Sequence, residues 1–318
     1  MSGQRVSGQA AAGERAGGPQ VSRRTRLGVL GWPVGHSRSP AIQNAALVAA
    51  GLEDWRYQLL PVPPALLEQT VRALPGAGLR GVNVTIPHKQ STLSLACGAS
   101  ERARAIGAAN TLTFDCRAGR DEIHAENTDA PALIGALPFP AAGKTALVLG
   151  AGGSARAAVW ALLDAGAAHV AVWNRTPERA RALCAELGGT AVETAQAANL
   201  LVHCTSTGLR AGERTFEQLP LCAGDLANYA CVVDFVYTGT RRETALVRAA
   251  RELGIPAVDG LSLLVGQGAL SFELFTGVSA SVDAMRAAAG LPAPSSSIDR
   301  GSISGDAGLD PHPGTRRG

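Results

Sequence analysis

Two hydrophobic periods alternate along most of this chain. Leu27–Trp32 is an apolar run of strand length and reads as a buried strand. Ser39 and Pro40 then open a helix, with Ser39 suited to the cap and Pro40 to the first helical position. Ile42, Ala45, Ala46 and Ala49 form its apolar stripe, and Gly51 is its stop. Trp55–Val62 predicts a second strand, Pro64–Leu74 a second helix, and Gly81–Ile86 a third strand ended by Pro87. A short helix over Glu101–Ile106 and two strands, Asn110–Phe114 and Glu122–Ala125, complete the first half.

From Thr128 a helix leads to Pro138, and a different module starts at Lys144. Its predicted strands are Thr145–Leu149, His169–Trp173, Leu200–Cys204 and Cys231–Phe235, with helices at 153–165 and 177–187. The run 212–230 reads mostly as loop. A helix at 242–252, a last strand near Ala257, and helices at 261–275 and 281–289 end the pattern. Strand–helix alternation throughout predicts an α/β fold with mainly parallel sheets and right-handed crossovers in both halves. A chain of 318 residues is long enough for two such domains.

Composition narrows the classes of function. With 46% apolar residues the chain can fill real cores, and its aromatic content of 4% means that Ala, Val and Leu must build them. A net charge of +3, with no basic stripe interleaved with aromatics, argues against a nucleic-acid partner. The longest apolar neighbourhood, 157–173, carries Asp164 and His169 and is too short to cross a membrane. The six cysteines (97, 116, 184, 204, 222, 231) form no C-x-x-C pair, so reduced thiols in a cytoplasmic protein are expected, with no metal site. Residues 1–26 are Arg-rich and acid-poor, slightly like a transit peptide, but their glycines favour a disordered tail. Residues 291–318 read as a second such tail.

Of the 29 basic residues only Lys89 and Lys144 are lysines. Arginine serves as well on a solvated surface, so a retained lysine raises the question of what arginine could not do. An amine can give up a proton near neutrality in a suitable site, and a guanidinium cannot.

Two constellations carry chemistry. Leu147–Ala155 runs from a strand into G-x-G-x-x-A and then a helix. Gly150 and Gly152 allow a tight turn and close approach of a pyrophosphate, and Ala155 permits close helix–sheet packing. Glycine-rich strand–helix turns also occur without nucleotides. The next strand ends at Asn174-Arg175-Thr176, where a reader of the cofactor 2′-position lies, with Arg179 a helical turn further on. An acidic residue is missing there, and two guanidiniums and a hydroxyl suit a 2′-phosphate; NADP is favoured over NAD.

The second set lies in the first half. Ser37 and Ser39 share a loop at a strand end, Asn83 and Thr85 are two apart on a strand and so share a face, and Lys89 follows the break. Asn110 begins a strand, and Asn127 and Asp129 follow another. Short hydroxyls, carboxamides, one amine and one carboxylate make a polyol-binding set. Plainer roles are open to the same residues: Ser39 as a helix cap, Asn127 and Asp129 as turn or cap residues.

These motifs resemble the shikimate dehydrogenase family. The matching segments are GWPVGHSRSP, GVNVTIPHK, IGAANTL, ENTDA, LVLGAGGSAR, WNRTPERA, VVDFVY and DGLSLLVGQGA, in family order from Leu27 to Gly290. The resemblance implies a substrate domain over 27–128, rejoined by 261–290, and a Rossmann NADP domain over 129–260. It implies Lys89 and Asp129 as the catalytic pair. Ser37, Ser39, Thr85, Asn110 and Gln267 would hold substrate, with Asn83 lining the site and Tyr237 near the substrate carboxylate. Gly150, Ala151, Gly152, Gly153, Ser154 and Ala155, with Asn174, Arg175, Thr176 and Arg179, would hold NADP. Departures are few: Ala125 and Ala130 stand where glycine is common, and Leu263 where methionine is common.

The implied reaction is reversible reduction of 3-dehydroshikimate to shikimate, by a monomer or homodimer acting on a small molecule. Quinate or an aminoshikimate is the alternative substrate. A non-catalytic NADP-binding module is the alternative from another class, and the intact Lys89 and Asp129 speak against it.

Overall fold

The computed structural model describes residues 24–115, 122–210, 214–239 and 243–292. The first half runs β1 (Thr25–Gly31), α1 (Ser39–Ala49), β2 (Trp55–Pro61), α2 (Leu67–Ala73), β3 (Leu79–Val84), β4 (Gly98–Ala99), α3 (Glu101–Ile106), β5 (Thr111–Asp115) and β6 (Glu122–Glu126). Its six strands form one sheet in the order β2-β1-β3-β5-β6-β4. Alternation decides which face each side chain covers. Leu27 and Val29 of β1 join one core with Ile42 and Leu47, while Leu30 joins a second core with Val71, Val82 and Leu112.

After α4 (Asp129–Ala136), the second half runs β7 (Thr145–Leu149), α5 (Gly153–Asp164), β8 (His169–Trp173), α6 (Pro177–Leu187), β9 (Thr190–Val192), β10 (Ala198–His203), β11 (Tyr229–Asp234), α7 (Ala245–Glu252) and β12 (Ala257–Val258). The sheet order is β12-β11-β10-β7-β8-β9, with every pair parallel. The chain winds outward from β7 to β9, returns to β10, and winds outward the other way. That makes the β7/β10 boundary the topological switch point, where a doubly wound sheet opens a crevice at its carboxyl end. Val148 and Val172 face one core and Leu147 and Leu149 the other, so the strands are apolar on both sides, as a parallel sheet between helix layers requires.

The chain ends by returning to the first sheet. In α8 (Gly260–Thr276), Phe272 and Phe275 pack with Leu27, Tyr57 and Ile42, and α9 (Val282–Ala289) adds Met285 to the same core.

The structure corrects several expected elements. The first sheet is mainly parallel as expected, with β1–β2, β1–β3 and β4–β6 parallel, but β5 runs antiparallel to both β3 and β6. Only residues 116–121 separate β5 from β6, too few for the crossover that a parallel pair needs. Ser39 does not cap α1; Arg38 is the capping position, without a side-chain bond, and the Ser39 amide donates instead to Ser37 Oγ at 3.3 Å. Thr85 lies just past the end of β3, although its amide still donates to Leu30 O at 2.8 Å. Thr25 and Arg26, expected to belong to the N-terminal tail, instead begin β1; the rest of both expected tails, residues 1–23 and 293–318, lies outside the described residues. The short strands β4 and β9 carry no hydrophobic period of their own and were not expected.

Candidate active site

One cleft runs between the two sheets. It is lined from the first half by Ser37, Ser39, Asn83, Thr85, Lys89 and Asn110, and from the second by Ser154 and Tyr237, with Asp129 of α4 and Gln267 of α8. Both expected catalytic residues and all seven expected substrate-holding residues therefore share one space, although they come from distant parts of the chain.

Lys89 is held from its backbone outward. Its carbonyl accepts from Ala109 N at 2.7 Å. The neighbouring His88 is buried, with Nε2 at 2.7 Å from Val62 O. From this fixed base Lys89 Nζ donates to Asp129 Oδ2 at 2.5 Å and to Ser154 Oγ at 3.0 Å.

Asp129 is placed by a helix start. Asn127 Oδ1 accepts from the amides of Asp129 at 3.1 Å and Ala130 at 3.2 Å, so Asn127 caps the first turn of α4. Its Nδ2 donates to Ala108 O at 2.9 Å, which ties this turn to the segment between α3 and β5. A carboxylate in a first helical turn also gains from the helix dipole. Asn110 Nδ2 then donates to Asp129 Oδ1 at 2.9 Å, and Asn110 Oδ1 accepts from Thr128 N at 2.8 Å. One oxygen of Asp129 is thus given to the lysine and the other to a buried carboxamide.

Beneath the cleft floor a buried polar network continues. Tyr57 Oη donates to Asn83 Oδ1 at 2.8 Å, and Asn83 Nδ2 donates to Ser271 Oγ at 2.8 Å. Ser271 also lies 2.9 Å from Thr111 Oγ1 and 3.1 Å from Thr128 Oγ1. Burial of all these groups is tolerable because each has partners. Asn83 therefore lines the cleft with much of its hydrogen-bonding capacity already used in the core.

At the other end, Ser37 Oγ donates to Ser39 Oγ at 3.2 Å. Burial raises the Tyr237 phenol, an effect opposed by the Ser37 side chain and the Arg38 backbone that hydrogen-bond to it. The His36 ring is tilted against Tyr237 with centroids 6.4 Å apart, and burial lowers the His36 pKa.

On the second sheet, β7 is followed by Gly150, whose φ of +119° few side-chain-bearing residues adopt. A Cβ there would lie 3.1 Å from the carbonyl of Cys204 at the end of β10, so the turn fits tightly into the switch point. Gly152 caps α5 without a side-chain bond, leaving first-turn amides available to an anion. Asn174, Arg175, Thr176 and Arg179 follow β8 away from the cleft lining, with both arginines exposed. Among the described residues no His, Cys, Asp and Glu cluster could hold a metal, and no helix is long and apolar enough to cross a membrane.

Some cleft features were not legible beforehand. His203 and Asp234 are register partners at the ends of β10 and β11, both fully buried. His203 Nδ1 lies 2.9 Å from Asp234 Oδ1, and Nε2 lies 2.6 Å from Thr205 Oγ1. Asp234 also accepts from Val236 N at 2.9 Å and from Thr244 Oγ1 at 2.6 Å. This cluster ties together the two loops that bring Thr205, Ser206, Val236 and Tyr237 to the cleft. The available signal was a polar residue ending each of two apolar strands, L-L-V-H and C-V-V-D. Cys204 also lines the cleft, its thiol pushed well above the usual range by burial.

Known proteins carry the same plan. A family model described as the shikimate dehydrogenase substrate binding domain matches residues 29–112. Models described as shikimate / quinate 5-dehydrogenase and as the shikimate 5′-dehydrogenase C-terminal domain match 137–207 and 260–289. The shikimate dehydrogenase (NADP(+)) of Methylobacterium radiotolerans is 43% identical over 79% of this chain and 91% of its own length. That of Rhodospirillum rubrum is 42% identical over 82% and 95%. A crystal structure of shikimate 5-dehydrogenase from Thermus thermophilus, in complex with NADP(H) and shikimate, is 39% identical, covers 84% of this chain and 98% of its own, and superposes with a TM-score of 0.72. On this likeness, which spans both sheets and the cleft between them, the chain belongs to the shikimate dehydrogenase family.

Proposed function

We propose that this chain catalyses the reversible, NADP-dependent reduction of 3-dehydroshikimate to shikimate. The observation that carries the reading is the Lys89–Asp129 pair, 2.5 Å apart and set at the mouth of a doubly wound sheet's switch point. The relatives' names and the ligands of the Thermus thermophilus enzyme support the substrate and cofactor.

The residues present suit the cofactor. The positive-φ glycine, the open first turn of α5 and the two exposed arginines after β8 would take the pyrophosphate and the 2′-phosphate respectively. When bound, the cofactor supplies the hydride that reduces the ketone.

The protein's own residues then bind, orient and move a proton. Lys89 delivers a proton to the ketone oxygen as negative charge develops on it, and takes that proton back in the reverse direction. Such acid–base assistance contributes typically ~10²–10⁴-fold. Asp129 keeps the ammonium in place and accepts from a neighbouring substrate hydroxyl. Asn110 orients Asp129 through the 2.9 Å bond to Oδ1, and Gln267, whose Oε1 accepts from Asn110 Nδ2 at 3.2 Å, presents its carboxamide to the same end of the substrate. Ser37, Ser39 and Tyr237 meet the substrate carboxylate, and Thr85 and Asn83 line the wall between the two ends.

We divide the chain into a substrate domain over 25–128 with 261–290 and a cofactor domain over 129–260, the first boundary moved from 27 to the start of β1. The cysteines among the described residues are free, which suits a reducing compartment such as the cytoplasm. Steady-state rates with shikimate and with quinate, each with NADP and with NAD, test the reading. Turnover of shikimate with NADP well above the other three combinations is expected, and its absence overturns the assignment.

A further inference from the structure

Lys89 has two acceptors, and they come from two helices that pack together. Asp129 is the first residue of α4, and Ser154 is the second residue of α5, in the glycine-rich turn after β7. The approach is close: a Cβ on Gly153 would lie 2.5 Å from Lys89 Cβ. The turn reaches the lysine only because residue 153 has no side chain.

Ser154 is also held in place relative to Lys89. Two residues along α5, the buried Arg156 donates from Nε to Ile106 O at 2.6 Å and from Nη2 to Glu186 Oε2 at 2.7 Å. Arg156 thereby straps the start of α5 to the end of α3 in the first half and to α6 in the second. The Lys89 backbone is fixed by Ala109, three residues beyond Ile106. Both ends of the Lys89–Ser154 contact are therefore anchored to the segment between α3 and β5.

An ammonium has three N–H donors arranged tetrahedrally about its nitrogen. One acceptor leaves the other two donors free to rotate. Two acceptors fix the direction of the third.

We propose that Ser154 is a positioning residue for proton transfer: by accepting from Lys89 Nζ alongside Asp129, it aims the remaining N–H of Lys89 into the substrate end of the cleft. The proposal rests on the reading of Lys89 as the proton-transfer group. It goes beyond a cofactor-holding role for the turn, because the Ser154 oxygen that accepts from Lys89 leaves the hydroxyl proton free to face the cofactor side.

The test is a double-mutant cycle of Ser154→Ala with Lys89→Met, with kcat and both KM values measured for each protein, alongside Ser154→Thr. Losing a hydrogen bond to a charged group predicts that Ser154→Ala lowers kcat by about ten- to a hundredfold. KM for NADP should stay within about twofold, since the interaction matters in the chemical step. Ser154→Thr, which keeps the hydroxyl, should restore most of kcat. In the Lys89→Met background, removing Ser154 should cost nothing further. Should the alanine variant not fold, Ser154→Cys, similar in size with a weak acceptor, carries the same comparison.

Two results overturn the proposal while leaving the function intact. One is a raised KM for NADP with kcat unchanged in Ser154→Ala. The other is a full additional loss on removing Ser154 from the Lys89→Met protein. If Lys89→Met itself turns over normally, the assignment of Lys89 fails first, and the role of Ser154 with it.

Discussion

The ammonium of Lys89 and the carboxylate of Asp129 meet at 2.5 Å, although 40 residues separate them in the chain. Side chains that are 12% and 6% exposed form this pair, so solvent screens it little. Lys89→Ala should lose at least about two orders of magnitude in kcat while KM for shikimate changes little, because the amine is used chiefly in the transition state. Lys89→Arg should fail nearly as badly, since Arg keeps the charge but does not give up a proton. Near-normal turnover by Lys89→Arg would show that charge alone matters there.

Cofactor choice should be carried by the exposed residues after β8. A preference for NADP over NAD of at least about tenfold in kcat/KM is expected from a charge-assisted contact to the 2′-phosphate. Arg175→Asp should raise KM for NADP far more than for NAD, because the lost contact belongs to the 2′-phosphate alone. Equal kcat/KM for the two cofactors in the unaltered protein would refute this placement.

Substrate choice should be less strict. Quinate carries an extra hydroxyl on the carboxylate-bearing carbon, the end that the proposed substrate placement sets against Ser37, Ser39 and Tyr237. The small side chains of Ser37 and Ser39 would leave room at that carbon, and a site rejects an added hydroxyl only weakly unless it is tight and apolar, by about 10²-fold. Shikimate should be clearly preferred, with slow quinate oxidation detectable. Ser37→Ala should weaken both substrates, because both present the carboxylate; loss of quinate activity alone would mean that Ser37 reads the extra hydroxyl.

Alkaline stability should follow two buried acids in the second half. Burial raises the Cys231 thiol from 9.0 to about 11 and the Tyr229 phenol from 10.0 to about 12. The folded state holds these protons where the unfolded chain has released them, so their contribution is complete below pH 9 and is lost as pH rises through 11 to 12. Chemical denaturation at stepped pH should show unfolding free energy falling across this window. Cys231→Ala should fall less steeply between pH 9 and 11 than the parent, and an identical slope would exclude the thiol as a contributor.

Local pattern determined a large part of this molecule. The apolar run of Thr145–Leu149, the stop of α1, and the boundaries of α3 and α6 follow from spacing and from Gly and Pro, which act within a few residues; the expected α1 stripe holds at Ile42 and Ala46 but not at Ala49, which is exposed while Leu47 is buried. The G-x-G-x-x-A turn and the missing acid after β8 are equally local, because a phosphate is met by consecutive amides and a 2′-phosphate by neighbouring side chains. The lysine count leaves only Lys89 and Lys144 as side-chain amines, and the motif around Lys89 distinguishes the two.

Tertiary structure decided the rest, and in each case the reason is that the partners are distant in sequence. The direction of β5 depends on the end of the sheet at which the chain re-enters beside β3, and helix-and-strand alternation does not encode that end. Ser39 does not take its expected cap role, because the loop after β1 makes Arg38 the capping position and turns the Ser37 hydroxyl onto the Ser39 amide. His203 and Asp234 became one unit only when β10 and β11 paired in register. The contact of Lys89 with Ser154 needs Gly153 to leave room, Arg156 to strap α5 to α3, and the two sheets to close on one cleft. Hydrophobic periodicity records which face of an element is buried; which element buries it is set by packing between surfaces that no short stretch of chain contains.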